Sequence, residues 1–282
     1  MVLAAGLGTR LRSMSAGCAK SLVPVGDRPV LAHVLGGLRD AGLERVVVNA
    51  HHRADDVRAF VRAQPDNVAV SYEPELLGTA GAVANARGLL GDGDVLVWNA
   101  DVIARLDVRA LVDLHARDMP EATLAVQPRE RGQGPVGLDS SGRVVRLREH
   151  RFGPEEYGGE FLGVHVMGSG LRDRLPPRGG LVDGVFVPAL ARGAVLRAFV
   201  CGAEWHDVGT PETYLEANLA WLRLRGATSW IGPWAHVAPA VALDRSLVGA
   251  GARVDGVGAL VRCVVWPGAH ATAPLEDEVV TS

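Results

Sequence analysis

The sequence is poor in cysteine and has no long apolar run. Its three cysteines are Cys18, Cys201 and Cys263, and their wide spacing matches neither a zinc site nor a disulfide framework. No stretch approaches the roughly 18 apolar residues that a transmembrane helix needs. The apolar run over residues 1–5 is too short for a signal peptide and has no basic segment before it. We therefore expect a cytoplasmic protein without a membrane partner.

An excess of charge of either sign is also absent. The sequence has 29 Lys and Arg residues against 32 Asp and Glu residues, a net charge of −3, which indicates no nucleic-acid partner. Of its 282 residues, 48% are hydrophobic and 22% are charged, values typical of a globular protein with a sizeable core. The length predicts one large domain with at most a small appendage.

Strand-like and helix-like segments alternate over the first hundred residues. The pattern predicts strands at 2–5, 46–50, 68–72 and 95–100, and helices at 30–41, 54–62 and 80–90. This alternation indicates an α/β fold with right-handed crossovers and a mostly parallel sheet. Because ligands bind at the carboxyl ends of the strands in such sheets, the residues that follow these strands are candidates for a site.

The middle of the chain, about residues 121–200, is richer in glycine and in short strands. We predict strands at 123–127, 136–139, 144–148, 161–167 and 195–200, which would extend the sheet in mixed orientation and carry a second substrate. A helix is predicted to begin at Pro211 with Thr210 as its N-cap, and to end at Gly226.

A repeat begins after this helix. The ten residues LDRSLVGAGA at 243–252 recur seventeen positions later as LVRCVVWPGA at 260–269, and aliphatic residues recur every six positions. This pattern is typical of a hexapeptide β-helix, so we predict a short left-handed β-helix over residues 228–282. Its tryptophans are expected to be exposed and make it a candidate surface for homo-oligomer formation: Trp230, Trp234 and Trp266.

A glycine-rich loop, GLGTR at residues 6–10, follows the first predicted strand. A dinucleotide-binding fingerprint requires glycine at position 11, where Leu11 stands, and a Walker loop requires a Gly-Lys-Ser/Thr sequence that is missing here. The loop fits a backbone nest whose N–H groups face phosphate oxygens, with Arg10 at its edge and Lys20 ten residues further on.

The run LAAGLGTRLRSMSAGCAKSLVPVGDRPVLAHVL at residues 3–35 resembles the opening signature of the nucleotide-diphosphate-sugar pyrophosphorylases, which are sugar-1-phosphate nucleotidylyltransferases. These enzymes join a nucleoside triphosphate to a sugar 1-phosphate and release pyrophosphate. The resemblance implies a Rossmann-like, mixed and mostly parallel sheet sandwiched by helices, in a catalytic domain over residues 1–227 that the β-helix caps. It also implies which residues of the loop bind the nucleotide: Ala4, Ala5, Gly6, Gly8, Thr9, Arg10 and Lys20.

Residues 73–82, EPELLGTAGA, resemble the family's nucleobase segment, in which a polar residue five positions before a glycine reads the base. Glu73 and Gly78 have that spacing, and Thr79 belongs to the same segment. A carboxylate only accepts hydrogen bonds, so Glu73 would suit guanine, whose N1–H and exocyclic amine both donate. Some uridylyltransferases of similar sequence also carry Glu at this position.

Two later segments, WNAD at 98–101 and WHDVGTPE at 205–212, resemble the family's metal-binding segments. The resemblance implies that Asp101 and Asp207 hold a Mg²⁺ cofactor, an ion typically bound by one or two carboxylates together with substrate phosphates. With Arg10 and Lys20, these aspartates are the four predicted catalytic residues.

The sugar side rests on the resemblance alone. It points to Gly134, Glu149 and Gly163, and His150 replaces the lysine that usually follows the glutamate. The favoured function is transfer of a nucleotidyl group from GTP to a mannose- or heptose-like sugar 1-phosphate, as in members similar to mannose-1-phosphate guanylyltransferases. The alternative is a uridylyltransferase that acts on an amino-sugar 1-phosphate such as N-acetylmuramate 1-phosphate. A non-catalytic regulatory homologue is less favoured, because the chain keeps all four predicted catalytic residues.

Overall fold

The computed structural model describes residues 1–15, 17–64 and 67–282. Its α-helices are α1 (Val30–Asp40), α2 (Ala54–Arg62), α3 (Gly78–Asn85), α4 (Arg87–Leu90), α5 (Val108–Asp118), α6 (Ser169–Arg172), α7 (Val187–Ala191) and α8 (Pro211–Leu224). Short 3₁₀ helices cover Thr9–Ser15 and Lys20–Leu22, and a π-helical turn covers Val182–Phe186. Among the described residues, no helix combines the length and apolar character that crossing a membrane requires.

The strands fall into two series along the chain. The first series is β1 (Val2–Leu3), β2 (Pro24–Val25), β3 (Arg28–Pro29), β4 (Val46–Ala50), β5 (Val68–Tyr72), β6 (Val95–Asn99), β7 (Val102–Ala104), β8 (Ala122–Arg129), β9 (Val136–Leu138), β10 (Val144–Leu147), β11 (His150–Arg151), β12 (Tyr157–Met167), β13 (Leu196–Val200) and β14 (Trp205–Asp207). The second is β15 (Trp230–Ile231), β16 (His236–Val237), β17 (Val241–Asp244), β18 (Leu247–Val248), β19 (Arg253–Val261), β20 (Val264–Val265), β21 (His270–Glu276) and β22 (Val279–Val280).

The chain divides into two compact units. The first unit is Met1–Gly6 with Val34–Trp205, and the second is Leu7–His33 with His206–Ser282. The sequence-based boundary between residues 227 and 228 stays a prediction.

A ten-stranded sheet forms the first unit. Its centre is parallel: β1 lies between β4 and β6 and pairs with both, and β5 pairs with β4. The long strand β12 then runs antiparallel to β6, β8 and β9, and β10 and β11 continue the sheet beyond β9. The predicted α/β fold, with a parallel centre and a mixed extension, is therefore confirmed.

Continuous apolar strands supply the core of the first unit, as expected where helices cover both faces of a sheet. Side chains with no exposed surface come from β4, β6, β8, β12 and the π-helical turn: Val47, Val97, Leu124, Met167 and Phe186. The predicted single helix over residues 80–90 is wrong, because the chain forms two helices separated by Ala86. The ψ angle of Ala86 is 0°, away from the α-helical value, and α3 begins at Gly78 instead of residue 80.

Helix α8 holds the β2–β3 hairpin of the second unit by two hydrogen bonds. The hydroxyl of Tyr214 donates to the carbonyl of Pro24 at 2.6 Å, and the amide oxygen of Asn218 accepts from the N–H of Gly26 at 2.9 Å. Gly26 has a φ of +63°, and an added Cβ would lie 2.0 Å from the Trp221 ring. The β2–β3 hairpin therefore needs glycine at its turn to pack against α8.

The strands after Gly226 stack in parallel at the spacing of the sequence repeat. One series pairs Trp230 with Leu247 and Leu247 with Val264, and another pairs His236 with Arg253 and Arg253 with His270. Every one of these pairs joins residues seventeen positions apart, which is the separation of the two repeated decapeptides.

One expectation about this region is wrong. Trp266 is buried, and its indole N–H donates to the Tyr214 hydroxyl at 2.9 Å. Trp230 is partly buried with its ring edge-on to Trp221, at a centroid separation of 5.6 Å. Trp234, by contrast, is 91% exposed. Helix α8 therefore covers two of the three tryptophans that were expected at the surface.

Candidate functional site

A cavity of about 210 Å³ lies in the first unit at the carboxyl ends of its parallel strands. Its walls come from the ends of β1, β4, β5 and β6 and from the start of α3. The lining residues are Leu3, Ala5, Gly6, Asn49, Glu73, Leu76, Gly78, Thr79, Asn99 and Asp101. The structure thus brings together six of the predicted site residues: Ala5, Gly6, Glu73, Gly78, Thr79 and Asp101.

A chain of hydrogen bonds holds one wall of this cavity. The N–H of Ala4 donates to the Asn49 amide oxygen at 2.6 Å, and the Asn49 amide nitrogen donates to Glu73 Oε1 at 2.6 Å. Glu73 Oε2 accepts the N–H of Leu77 at 3.2 Å, and Glu73 is only 1% exposed. Each carboxylate oxygen therefore accepts one hydrogen bond from the protein and has a further lone pair that could accept another.

The segment that begins α3 is held by the loop over residues 177–181. The N–H of Ala80 donates to the Gly179 carbonyl at 2.9 Å, and the Thr79 hydroxyl accepts the N–H of Leu181 at 2.7 Å. Gly78 has a φ of +76°, and an added Cβ would lie 2.5 Å from the Gly179 carbonyl oxygen. Only glycine fits this position, so the backbone of the cavity wall is fixed at Gly78.

Asp101 and Asn99 form the wall at the end of β6. Asp101 lines the cavity two residues beyond Asn99. Gly163 of β12 has a φ of +70°, and an added Cβ would lie 2.7 Å from the Asn99 amide nitrogen. Gly163 therefore gives the Asn99 side chain its space, which links one predicted sugar residue to the wall of the cavity.

The other two predicted sugar residues do not line this cavity. Gly134 has a φ of +70°, and its backbone packs against β12, since an added Cβ would lie 2.3 Å from the Gly159 carbonyl oxygen. Glu149 follows β10 in the two-residue turn before β11, with a side chain that is 74% exposed and 3.4 Å from His150. Their contact with a sugar stays a prediction.

The second unit brings two predicted catalytic residues to one glycine. A Cβ added at Gly209 would lie 2.8 Å from Asp207 Oδ2 and 3.2 Å from Arg10 Nη1. The carboxylate of Asp207 and the guanidinium of Arg10 therefore both approach the same backbone position. Gly8 has a φ of +70°, Thr9 begins a 3₁₀ helix and Lys20 begins the next one.

A capping box places Asp207 just before a helix. The Thr210 hydroxyl accepts the N–H of Thr213 at 3.3 Å, and the Thr213 hydroxyl accepts the N–H of Thr210 at 3.0 Å. Pro211 occupies the first turn of α8, where its missing N–H costs nothing. The predicted N-cap is confirmed.

Each predicted metal ligand supplies carboxylate oxygens, which are donors that magnesium prefers. Among residues 1–15, 17–64 and 67–282, no group of three or more His, Cys, Asp or Glu side chains is placed to hold a metal. Magnesium in phosphate-transfer sites needs only one or two carboxylates, because substrate oxygens and water supply the rest. Asp101 lines the cavity of the first unit, and Asp207 approaches Gly209 from one side in the second unit, as Arg10 does.

Sequence reasoning missed Asn49. This residue joins the β1 loop to Glu73, yet it stands in the apolar run VVVNA, which predicts only a buried strand. The available signal was a polar side chain one residue before the carboxyl end of a central strand.

The nucleotidyl transferase family model matches residues 1–160 of the chain. The chain belongs to the nucleotidyl transferase family. The predicted class of enzyme, a sugar-1-phosphate nucleotidylyltransferase, is thereby confirmed.

Relatives carry names of the same kind. The chain is 28% identical over 232 residues to a mannose-1-phosphate guanylyltransferase catalytic subunit beta of Drosophila pseudoobscura pseudoobscura, over 79% of this chain and 62% of the relative. It is 28% identical to a mannose-1-phosphate guanylyltransferase of Mycobacterium tuberculosis, over 97% of this chain and 81% of the relative. Among solved structures, HddC from Yersinia pseudotuberculosis complexed with GMP-PN is 26% identical with a TM-score of 0.66, over 78% of this chain and 97% of HddC.

Proposed function

We propose that the chain transfers a guanylyl group from GTP to a mannose- or heptose-like sugar 1-phosphate. The observation that carries the proposal is the cavity of the first unit, whose lining joins the signature loop (Ala5, Gly6) to the nucleobase segment (Glu73, Gly78) and to Asp101. The names of the relatives support guanylyl transfer to mannose 1-phosphate, and the HddC complex with GMP-PN supports a guanine nucleotide.

Glu73 supports the choice of guanine. Each carboxylate oxygen accepts one hydrogen bond from the protein and has a lone pair left, so it can accept another from the base. Guanine offers N1–H and an exocyclic amine on one edge, whereas uracil offers a single N–H.

The chemistry requires no nucleophilic side chain. An oxygen of the sugar phosphate attacks the α-phosphorus in line, the bond from the α-phosphorus to the bridging oxygen breaks, and pyrophosphate leaves. We assign the loop amides of Gly8 and Thr9, with Arg10, to the β- and γ-phosphates. Lys20 is assigned to the α-phosphate and the incoming sugar phosphate. Positioning and neutralisation of charge then account for catalysis.

Mg²⁺ is the proposed cofactor, with Asp101 and Asp207 as its protein ligands. When bound, the ion supplies positive charge at the reacting phosphate. The chain would contribute two carboxylates: Asp101 lines the nucleotide cavity, and Asp207 approaches Gly209 together with Arg10.

The proposal also covers the C-terminal segment, homo-oligomer formation and the location of the enzyme in the cell. We assign residues 228–282 to a short left-handed β-helix cap, supported by parallel pairs seventeen residues apart. This cap is the proposed surface for homo-oligomer formation. A cytoplasmic location is proposed because the three cysteines are free thiols.

The experiment is a matrix of GTP, UTP, ATP and dTTP against sugar 1-phosphates, with released pyrophosphate as the readout. The sugars are mannose, heptose, glucose and N-acetylmuramate 1-phosphates. We expect the highest kcat/KM for GTP with mannose or heptose 1-phosphate. A maximum for UTP with N-acetylmuramate 1-phosphate would replace the proposal by its alternative, and binding of GDP-mannose without turnover of any pair would indicate a regulatory homologue.

The variant Lys20→Ala tests the assignment of Lys20 to the reacting phosphates. Loss of one charge-stabilising contact costs about 10²–10³ in kcat. We expect a loss of this size in the most active pair of the matrix, with an unchanged circular dichroism spectrum. A near-normal rate would remove Lys20 from the reaction.

A further inference from the structure

One buried ion pair of the first unit joins the segment around Gly134 to the sheet. Arg146 in β10 and Glu155 between β11 and β12 are 6% and 3% exposed. Arg146 Nε donates to Glu155 Oε2 at 2.7 Å, and Arg146 Nη2 donates to Oε1 at 2.9 Å. The two side chains thus form a buried bidentate pair.

The remaining donors of Arg146 all go to backbone carbonyls. Nη1 donates to Gly134 at 2.9 Å and to Arg148 at 3.3 Å, and Nη2 donates to Val136 at 3.3 Å. A guanidinium has five N–H groups, and with Glu155 these bonds use all five. Arg146 has no donor left for a ligand, so any effect on a substrate must act through the backbone that it holds.

Glu155 and Arg148 complete the hold on this segment. Glu155 Oε1 accepts the N–H of Gly132 at 2.9 Å, and the N–H of Arg148 donates to the Pro135 carbonyl at 2.6 Å. The carbonyls of residues 134, 135 and 136 therefore each accept a hydrogen bond from Arg146 or from the N–H of Arg148. Arg146 lowers the pKa of Glu155 to about 2, so the pair stays ionised at any pH at which the protein would be assayed.

The segment also packs backbone to backbone on β12. A Cβ added at Gly134 would lie 2.3 Å from the Gly159 carbonyl oxygen, and one added at Gly158 would lie 2.2 Å from the Glu130 carbonyl oxygen. β12 continues from these glycines to Gly163, the glycine that gives Asn99 its space at the nucleotide cavity. The segment therefore packs on β12 at Gly158 and Gly159, before the strand reaches Gly163.

We propose that Arg146 and Glu155 are positioning residues that hold the backbone of Gly132–Val136 in the geometry that recognises the sugar of the sugar 1-phosphate. The inference rests on the proposed function, because it takes Gly134 as a sugar contact. The inference goes beyond the proposed function because it assigns the control of sugar affinity to an ion pair that does not contact the substrate.

The test is the double variant Arg146→Met/Glu155→Leu. Replacing a buried ion pair by apolar residues of similar volume is often neutral or stabilising, whereas removing one partner leaves a buried charge. The double variant should keep the unfolding temperature while residues 132–136 lose their hydrogen bonds. The matched control is Arg172→Met, which removes another buried arginine of the same unit, bonded to the Gly91 carbonyl.

We expect KM for mannose 1-phosphate to rise about ten-fold, because loss of a contact made equally with the bound substrate and the transition state raises KM and leaves kcat unchanged. KM for GTP and kcat should stay within about two-fold, and amide exchange over residues 132–136 should accelerate. Arg172→Met should leave KM for mannose 1-phosphate unchanged.

Three results would overturn the inference: an unchanged KM for mannose 1-phosphate, equal rises in KM for both substrates, or unchanged amide exchange over residues 132–136. A wild-type protein that turns over no sugar 1-phosphate with any nucleotide would instead reject the proposed function, and the inference with it. The two failures are distinguishable because the first is seen in the variant and the second in the wild type.

Discussion

At the scale of single residues, Gly209 makes the sharpest prediction. A Cβ there would lie 2.8 Å from Asp207 Oδ2 and 3.2 Å from Arg10 Nη1, and Asp207 has a short side chain with little freedom to move away. In Gly209→Ala both charged groups should be displaced by a fraction of an ångström to an ångström. Since such misplacement costs up to about 10² in rate, we expect kcat to fall about 10- to 100-fold in a pyrophosphate-release assay.

Gly88→Ala is the matched control for this substitution. Gly88 lies in α4, where an added Cβ would meet nothing within 4 Å, and alanine favours a helix more than glycine does. This variant should keep wild-type kcat and equal or greater stability. Equal activity of the two alanine variants would show that Asp207 and Arg10 are not placed by Gly209.

Glu73 gives a second prediction at the same scale. Its two oxygens accept from Asn49 and from the N–H of Leu77, whereas glutamine has only one acceptor oxygen. In Glu73→Gln a buried donor must therefore face another donor, which costs about 1–3 kcal/mol of unfolding free energy in urea titrations. Glu75→Gln is the control, since the Glu75 side chain is 62% exposed. Equal midpoints for the two variants would contradict the role of Glu73 in the wall.

Local motifs predicted residues that the structure brings to one cavity, and they missed Asn49, whose partners lie far away along the chain. Ala5, Gly6 and Asp101 follow strands and meet at one cavity, as expected for parallel strand ends. Asn49 escaped because its partners, Ala4 and Glu73, are 45 and 24 residues away. Local patterns contain no information about such separations.

At the scale of elements, the first and last residues were predicted best for short elements that have turn residues on both sides. The strands at 46–50 and 68–72 and the helix at 54–62 have the predicted bounds. β12 begins at Tyr157 instead of 161, because Gly158 and Gly159 favour a loop in the sequence. In the structure these glycines belong to the strand. They allow the backbone of residue 130 to approach closely, because a side chain at Gly158 would collide with the Glu130 carbonyl.

The start of α8 gives the prediction that belongs to this scale. Thr210 and Thr213 each accept the other's backbone N–H. Thr210→Ala should lower the free energy of unfolding by about 0.5–2 kcal/mol in urea titrations. Thr210→Ser keeps an acceptor oxygen and should lose much less. An equal loss in both variants would show that the methyl group of Thr210, and not its cap, stabilises the helix.

At the scale of the whole molecule, acid stability should depend on the Arg146–Glu155 pair. The Glu155 pKa is lowered from 4.5 to about 2 by the hydrogen bond from Arg146. A lowered folded-state pKa adds stability above the unfolded value, and this contribution is lost as pH falls from about 4.5 to about 2. The urea midpoint of the wild type should therefore fall more steeply over this window than that of Arg146→Met/Glu155→Leu. Parallel curves would show that the pair does not contribute.

Self-association is the last prediction at this scale, and Trp234 is the residue on which it depends. Trp234 is 91% exposed and has a φ of 57°, a backbone region that bulky residues rarely adopt. Trp234 lies in the C-terminal segment that we propose as the surface for homo-oligomer formation, so we expect its exposed ring to be covered in an assembly.

Asparagine tolerates this φ and is polar, so Trp234→Asn should relieve the strain and remove the apolar contact without unfolding the chain. Met119→Asn is a matched control in the first unit, because Met119 is 82% exposed with a φ of 45°. In sedimentation velocity, the wild type and Met119→Asn should form a concentration-dependent oligomer, and Trp234→Asn should be a monomer with an equal or higher unfolding temperature. An unchanged oligomer in Trp234→Asn would move the interface elsewhere, and a monomeric wild type would contradict self-association through the C-terminal strands.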